Sequence, residues 1–312
     1  MSLPPLLVIA GATATGKTGL AIDVAERLVG EGIAAEIISA DSRQVYRGLD
    51  IGTAKATVAE RRGIPHHGLD LVDPDESFTV ADFAGHVRGV LAGLATRPAP
   101  GLAILVGGTG LYLRAVARGM VTEALPSDRD VRARLEGEFL AVGLEPLVER
   151  LRGVAPARAA AIDTANPRRV VRALEIATVA GGDPELPAPR GYDGRVVWIG
   201  LTVEPWAHRE WIAHRARAQF DAGLVEEARV LRNRFDPALP AFSAIGYREA
   251  WAVIDGELTR EAAIAEDARR NQAFAKRQRT WFRAEPGIEW SDATGGPPIE
   301  ATLSAARRLM SP

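Results

Sequence analysis

Apolar residues gather in short runs, Leu6 to Ala10, Ala35 to Ala40 and Leu102 to Val106, across the first third of the chain. Between the runs they recur at helical spacing, as at Leu20, Ala21, Val24, Ala25 and Leu28. Strand-length runs alternating with helical stretches predict a parallel sheet wound with crossover helices, hence an α/β fold. A fourth run, Val196 to Val203, comes much later, and the interval before it holds helical patterns only. There, Ser127 with Asp130 predicts a capping box ahead of Val131, Leu135 and Phe139, and Asn166-Pro167 predicts a second helix start. The expected organisation is a core begun by residues 1–119, a helical insertion at 120–190, and a core completion with basic helices at 191–312. The loop-like exit from Gly181 to Gly191 suits a hinge. Beyond the fourth run, helices are predicted over 206–222, ended by Gly223, over 224–235 and over 259–283.

The chain has 312 residues, of which 47% are hydrophobic and 25% charged, enough for one large domain carrying an insertion. No apolar run approaches the roughly 18 residues needed to cross a bilayer. Met1 to Pro5 show no secretory pattern, so the expectation is a cytoplasmic protein with no membrane partner. The absence of cysteine excludes disulfides, thiolate zinc sites and a cysteine nucleophile. A net charge of −2 hides a local feature: Arg269 to Arg283 holds six cations (Arg269, Arg270, Lys276, Arg277, Arg279, Arg283) and no acid, with Phe274, Trp281 and Phe282 interleaved. Such a helix is either a nucleic-acid face or a solvated face anchored in the core by Trp281 and Phe282.

Directly after the first apolar run, Gly11-Ala12-Thr13-Ala14-Thr15-Gly16-Lys17-Thr18 fits the phosphate-binding pattern G-x-x-x-x-G-K-[ST] at every fixed position. Its glycines let the backbone curl N–H groups toward phosphate oxygens, Lys17 adds a point cation, and the Thr18 hydroxyl suits Mg²⁺. The helix that follows adds a favourable dipole for an anion. The loop names the anion class and leaves the reaction open. Asp41, 24 residues after Lys17, ends the second predicted strand, where parallel sheets bind ligands. It faces the phosphates or an acceptor, or it caps the next turn. The third strand ends in Gly107-Gly108-Thr109-Gly110 without the acid that supports Mg²⁺ in nucleotide hydrolases, which argues against a motor ATPase or a GTPase. His66-His67 lacks a third ligand and is expected to hydrogen-bond in a loop.

Eight blocks carry a closer resemblance: GATATGKT, ADSRQVYRGLDIGTAK, PHHGLDLVDPDESFTVADF, LVGGTGLYLRAV, NPRRVVRALEI, GLVEEAR, AIGYREA and AKRQRTWFR. In this order, over nearly the whole chain, they resemble the bacterial tRNA dimethylallyltransferase family. The resemblance implies a P-loop, nucleoside-kinase-like parallel sheet flanked by helices. It implies transfer of the dimethylallyl group from dimethylallyl diphosphate to N6 of adenosine 37, in tRNAs reading codons that begin with U. The loop would then hold a prenyl diphosphate, with Mg²⁺ at Thr18. Asp41 would be the base, Thr109 would line the channel where base and donor meet, and Arg215 would lie near the diphosphate. By its sequence position alone Thr109 also suits a helix cap, and Arg215 a helix surface.

The partner implied is a tRNA anticodon stem-loop, from which the target base must be extracted. Candidate contacts are Asp41, Ser42, Arg43 and Gln44, the Arg168, Arg169 and Arg172 run, Gly246, Tyr247 and Arg248, and Arg277 with Arg279. Neutralising Arg277 and Arg279 is expected to weaken RNA binding and leave donor binding intact. A monomer is expected. Ala12 stands where the family usually has proline, Thr15 where serine is common, and Arg217 and Gln219 where acidic and methionine residues are frequent. None of these removes a proposed catalytic group, and no cysteine or histidine cluster follows Arg283. Two rival readings are a small-molecule kinase, which does not need the basic helix, and an ATP-regulated nucleic-acid-binding protein, which does not require Asp41.

Overall fold

The computed structural model describes residues 3–97, 101–122 and 125–311. Six parallel strands form one sheet in the order β3-β2-β4-β1-β5-β6. They are β1 (Leu6–Gly11), β2 (Ala35–Ser39), β3 (His66–His67), β4 (Leu102–Gly107), β5 (Val196–Thr202) and β6 (Ile288–Asp292). Successive β1 side chains point to opposite faces, so Leu6 and Val8 enter one apolar cluster and Leu7 and Ile9 another. Both faces are covered, which is why β1 is apolar at every position. The first cluster takes in Phe83, Phe220, Tyr247 and Phe282, and the second takes in Leu20, Leu28 and Leu303.

The helices of this unit are α1 (Lys17–Gly30), α2 (Val80–Ala95), α3 (Gly110–Ala117), α8 (Pro205–Asp221), α9 (Leu224–Arg232), α10 (Tyr247–Ile254), α11 (Arg260–Arg283) and α12 (Ile299–Met310). Thr79 caps α2 in a reciprocal box with Asp82. The helix predicted to run to Phe235 ends at Arg232, and β3, β6, α10 and α12 are additions to the predicted elements. Among the described residues no helix is long and apolar enough to cross a membrane.

The chain divides into two compact units, Met1–Met120 with Gly191–Pro312, and Val121–Arg190. The second unit contains α4 (Arg129–Val142), α5 (Glu145–Val154), α6 (Pro156–Ala161) and α7 (Pro167–Ala180). Leu135, Leu147, Leu151, Val170 and Leu174 form its own apolar core. Asn166 caps α7 by accepting from Arg168 N and Arg169 N, and Gly181 ends that helix at φ 73°. The start of α4 differs from expectation. Asp128, one residue further on, is the cap, while the Ser127 hydroxyl donates to Glu175 Oε1 at 3.1 Å. Glu175 is fully buried and also meets Arg132 and Arg172, each at 2.8 Å. Burial pushes its carboxyl up, but hydrogen bonds from the two arginines and from Asp128 N outweigh that and hold it below the usual range.

Candidate active site

The phosphate-loop sequence forms the turn between β1 and α1. Gly16 sits in the left-handed region at φ 79°, just ahead of the first helical residue, Lys17. Lys17 is buried, and its ammonium bends back onto the Ala12 carbonyl with Thr15 Oγ1 3.5 Å away. Burial, reinforced by the positive charge of Arg215 and opposed by Asp41, lowers its pKa to about 7. Thr18 lies exposed in the first turn of α1. Thr13 is held from far along the chain: its N–H donates to Gln278 Oε1, its carbonyl faces His208 Nε2, and its hydroxyl accepts from Arg215 Nη1, each at 2.8 Å.

Asp41 follows the end of β2. Its Oδ1 accepts from Arg43 N at 2.8 Å, so the turn-capping alternative describes one of its two oxygens. Thr109 does not cap α3 through its side chain; its hydroxyl accepts from Ser42 N at 3.1 Å and its own N–H donates to Ala40 O at 3.2 Å. Thr109 therefore pins the segment that carries Asp41. The glycines around it permit close approach, since a Cβ on Gly107 would lie 2.2 Å from Ala40 O and one on Gly110 2.3 Å from the Trp281 ring. Arg215 donates to Thr13, and both it and Lys17 lie within electrostatic reach of Asp41. Burial holds the Arg215 pKa below its ordinary value, and its Nε is buried without a hydrogen-bond partner.

Several expected RNA contacts are engaged elsewhere. Tyr247 is fully buried and donates to Glu227 Oε1 at 2.7 Å, and burial pushes its phenol well up. Gly246 N donates to Glu249 Oε2 at 2.9 Å inside the fold, leaving Arg248 as the exposed member of that trio. The Gln44 amide is bonded to Ser39 Oγ, Thr53 O and Ala54 O, which makes it a brace for the loop after β2. Arg172 is tied to Glu175 and to Pro126 O, whereas Arg168 and Arg169 are exposed. In α11 two cations are charge-compensated, Arg269 by Glu266 and Arg270 by Glu249, while Arg279 is hydrogen-bonded to His208 Nδ1 at 3.0 Å. Among the described residues Lys276, Arg277 and Arg283 have no acidic partner, and Arg277 lies over the Phe274 ring at 5.7 Å. Phe282 belongs to the core, and Trp281 is half-buried under Arg114.

Sequence reasoning missed Glu227, whose carboxylate accepts from Asp50 N, Ile51 N and Gly52 N as well as from Tyr247. It also missed Gln219, which donates to the carbonyls of Ile51 and Gly52 at 2.7 and 2.8 Å. Two adjacent acids on an amphipathic helix resemble a solvated face, so Glu227 gave no signal beyond its place in the GLVEEAR block. His66 and His67 bond to Ile64 O and Glu36, and among the described residues no group of three or more His, Cys, Asp or Glu side chains could hold a metal.

A family model described as IPP transferase matches residues 44–285. The chain belongs to the IPP transferase family. Among curated relatives, a tRNA dimethylallyltransferase of Anaeromyxobacter sp. (strain K) is 44% identical over 311 residues, covering 98% of this chain and 97% of the relative. Another, from Symbiobacterium thermophilum, is 42% identical over 297 residues, covering 93% and 90%. The solved tRNA isopentenylpyrophosphate transferase from Bacillus halodurans matches with a TM-score of 0.69 at 38% identity, covering 98% of this chain and 95% of that one. A eukaryotic dimethylallyltransferase solved while acting on tRNA matches with a TM-score of 0.78 at 25% identity, covering 97% and 77%. As a family member the chain is a prenyltransferase enzyme, and none of these matches favours the kinase or the non-catalytic binder.

Proposed function

We propose that this IPP transferase moves the dimethylallyl group from dimethylallyl diphosphate to N6 of adenosine 37, in tRNAs reading codons that begin with U. The observation that carries the reading is the convergence of an anion loop, two buried-side cations and one pinned carboxylate: Lys17 and Arg215 both feel the charge of Asp41. In the reaction the allylic C1–O bond breaks, the N6–C1 bond forms, diphosphate leaves with the bonding pair, and one N6 proton passes to Asp41. Loop N–H groups, Lys17 and Arg215 stabilise the charge that develops on the departing oxygen. Asp41 orients the amine and takes its proton, and Thr109 keeps Asp41 in register through Ser42 N. The exposed Thr18 hydroxyl fits Mg²⁺, an ion that keeps several waters and is bound mainly through substrate phosphates. Held there, the ion would neutralise diphosphate charge.

The anticodon stem-loop is the RNA partner in this reading. Arg168 and Arg169 on the second unit, and Arg248, Lys276 and Arg277 on the first, supply exposed cations for its backbone. Incubation of the protein with radiolabelled dimethylallyl diphosphate and unmodified tRNA, without ATP, tests the proposal. Label is expected in the tRNA at adenosine 37. Strict ATP dependence, or label elsewhere in the RNA, overturns it.

A further inference from the structure

Every polar atom of the Thr13 backbone and side chain is held by α8 or α11. Arg215 and His208 come from α8, and Gln278 from α11. His208 is 3% exposed and stands between the loop and the basic helix, with Nε2 at 2.8 Å from Thr13 O and Nδ1 at 3.0 Å from Arg279 Nη1. A guanidinium has donors only, so Nδ1 is the acceptor. The ring proton then lies on Nε2 and is donated to the Thr13 carbonyl. Burial, with Arg279 and Lys17 as neighbouring cations, keeps the ring in this neutral form. The bond order is therefore directional: Arg279 to His208, and His208 to the main chain of the phosphate loop.

We propose that His208 is a positioning residue that couples Arg279 on the basic helix to the phosphate loop, so that Arg279 governs anion affinity at the loop. The inference rests on the loop holding the donor diphosphate, as proposed above. It departs from the expectation that neutralising Arg277 and Arg279 together leaves donor binding intact. Arg277 lies over the Phe274 ring and, among the described residues, makes no hydrogen bond to the loop or to His208, whereas Arg279 is one imidazole away from it.

The test is titration of the full-length protein with inorganic diphosphate, followed by calorimetry, for the wild type and for His208→Leu, Arg279→Ala, Arg277→Ala, the His208→Leu/Arg279→Ala double variant and His208→Gln. Loss of one hydrogen bond involving a charged group is worth on the order of tenfold. His208→Leu and Arg279→Ala are each expected to weaken diphosphate binding by about that factor, with the double variant no weaker than His208→Leu alone. Arg277→Ala removes the same charge and is expected to leave the affinity within about twofold. His208→Gln restores it, because the amide oxygen accepts from Arg279 while the amide NH₂ donates to Thr13 O. If His208→Leu fails to fold, the contrast of Arg279→Ala with Arg277→Ala and the His208→Gln rescue decide the matter. The inference is overturned by equal effects of the two arginine variants, by multiplying effects in the double variant, or by a wild type that does not bind diphosphate. A wild type that shows this coupling yet transfers no prenyl group would leave it standing and sink the proposed reaction instead.

Discussion

Asp41 has two oxygens with different surroundings, and that separates its structural role from its chemical one. Oδ1 accepts from Arg43 N, a bond that the amide oxygen of asparagine can also accept. Asp41→Asn therefore keeps the turn while removing the proton acceptor and the negative charge that Lys17 and Arg215 feel. Turnover is expected to fall by on the order of 10² or more, with thermal unfolding shifted by less than about 0.5 kcal/mol; a matching loss of stability would make Asp41 a scaffold residue. Lys17 has a different signature. With its pKa lowered from 10.5 to about 7, the fold favours the neutral amine. The unfolded chain binds more protons between those values, so the cost of burying the charge is fully present below about pH 7 and is relieved as pH rises toward 10.5. A diphosphate beside the amine favours the charged form again. At pH 8 donor binding is expected to take up close to one proton, and at pH 6 almost none, as read by calorimetry in buffers of different ionisation enthalpy. Equal uptake in Lys17→Met would remove Lys17 from the anion site.

At the scale of elements, α11 performs two jobs on different residues. Ala275, Gln278 and Phe282 face inward, and Gln278 bonds both Thr13 N and Gly108 O, joining the ends of β1 and β4 to one helix. Lys276 and Arg277 face solvent. Replacing both by alanine is expected to reduce the slope of log K against log salt for tRNA by roughly 0.7 to 0.9 per lost phosphate contact. Filter binding over a salt series measures it, and an unchanged slope would remove this face from the RNA surface. The same contrast explains what the sequence reveals about elements. β1, β2, β4 and β5 are legible because burial on both faces demands apolar runs. β6, Ile-Glu-Trp-Ser-Asp at an edge and half exposed, demands none, and β3 is only two residues long. The AIGYREA block is visible as a pattern, yet Tyr247 is buried by tertiary packing against Phe242 and by its bond to Glu227, which no local periodicity encodes. The phosphate loop is legible from spacing alone. The grip on Thr13 is not, because His208, Arg215 and Gln278 lie 195, 202 and 265 residues away.

For the molecule as a whole, two facts about composition make the separate stability of its units measurable. The apolar cores share no residue, since Leu135 to Ala177 form one cluster while the two sheet faces form the others. All six tryptophans and all four tyrosines lie outside residues 121–190. Tryptophan fluorescence thus reports the sheet-bearing unit alone, whereas far-ultraviolet circular dichroism also counts α4 to α7. Within the helical unit, Glu175 is the buried hub that gathers Arg132, Arg172, Ser127 and Asp128 N. Glu175→Ala removes these charge-assisted bonds while Arg132 and Arg172, each about a third exposed, turn to water, at a cost of about 1.5 to 3 kcal/mol. That loss is a large share of what a 70-residue helical unit has to lose. Glu175→Ala is accordingly expected to split the urea transition: the dichroism signal loses helix at lower urea, while the fluorescence midpoint stays where it is in the unsubstituted protein. Non-coincident probes are the standard sign that two-state behaviour has failed. Both midpoints moving together by the same amount would show instead that the units unfold as one cooperative body.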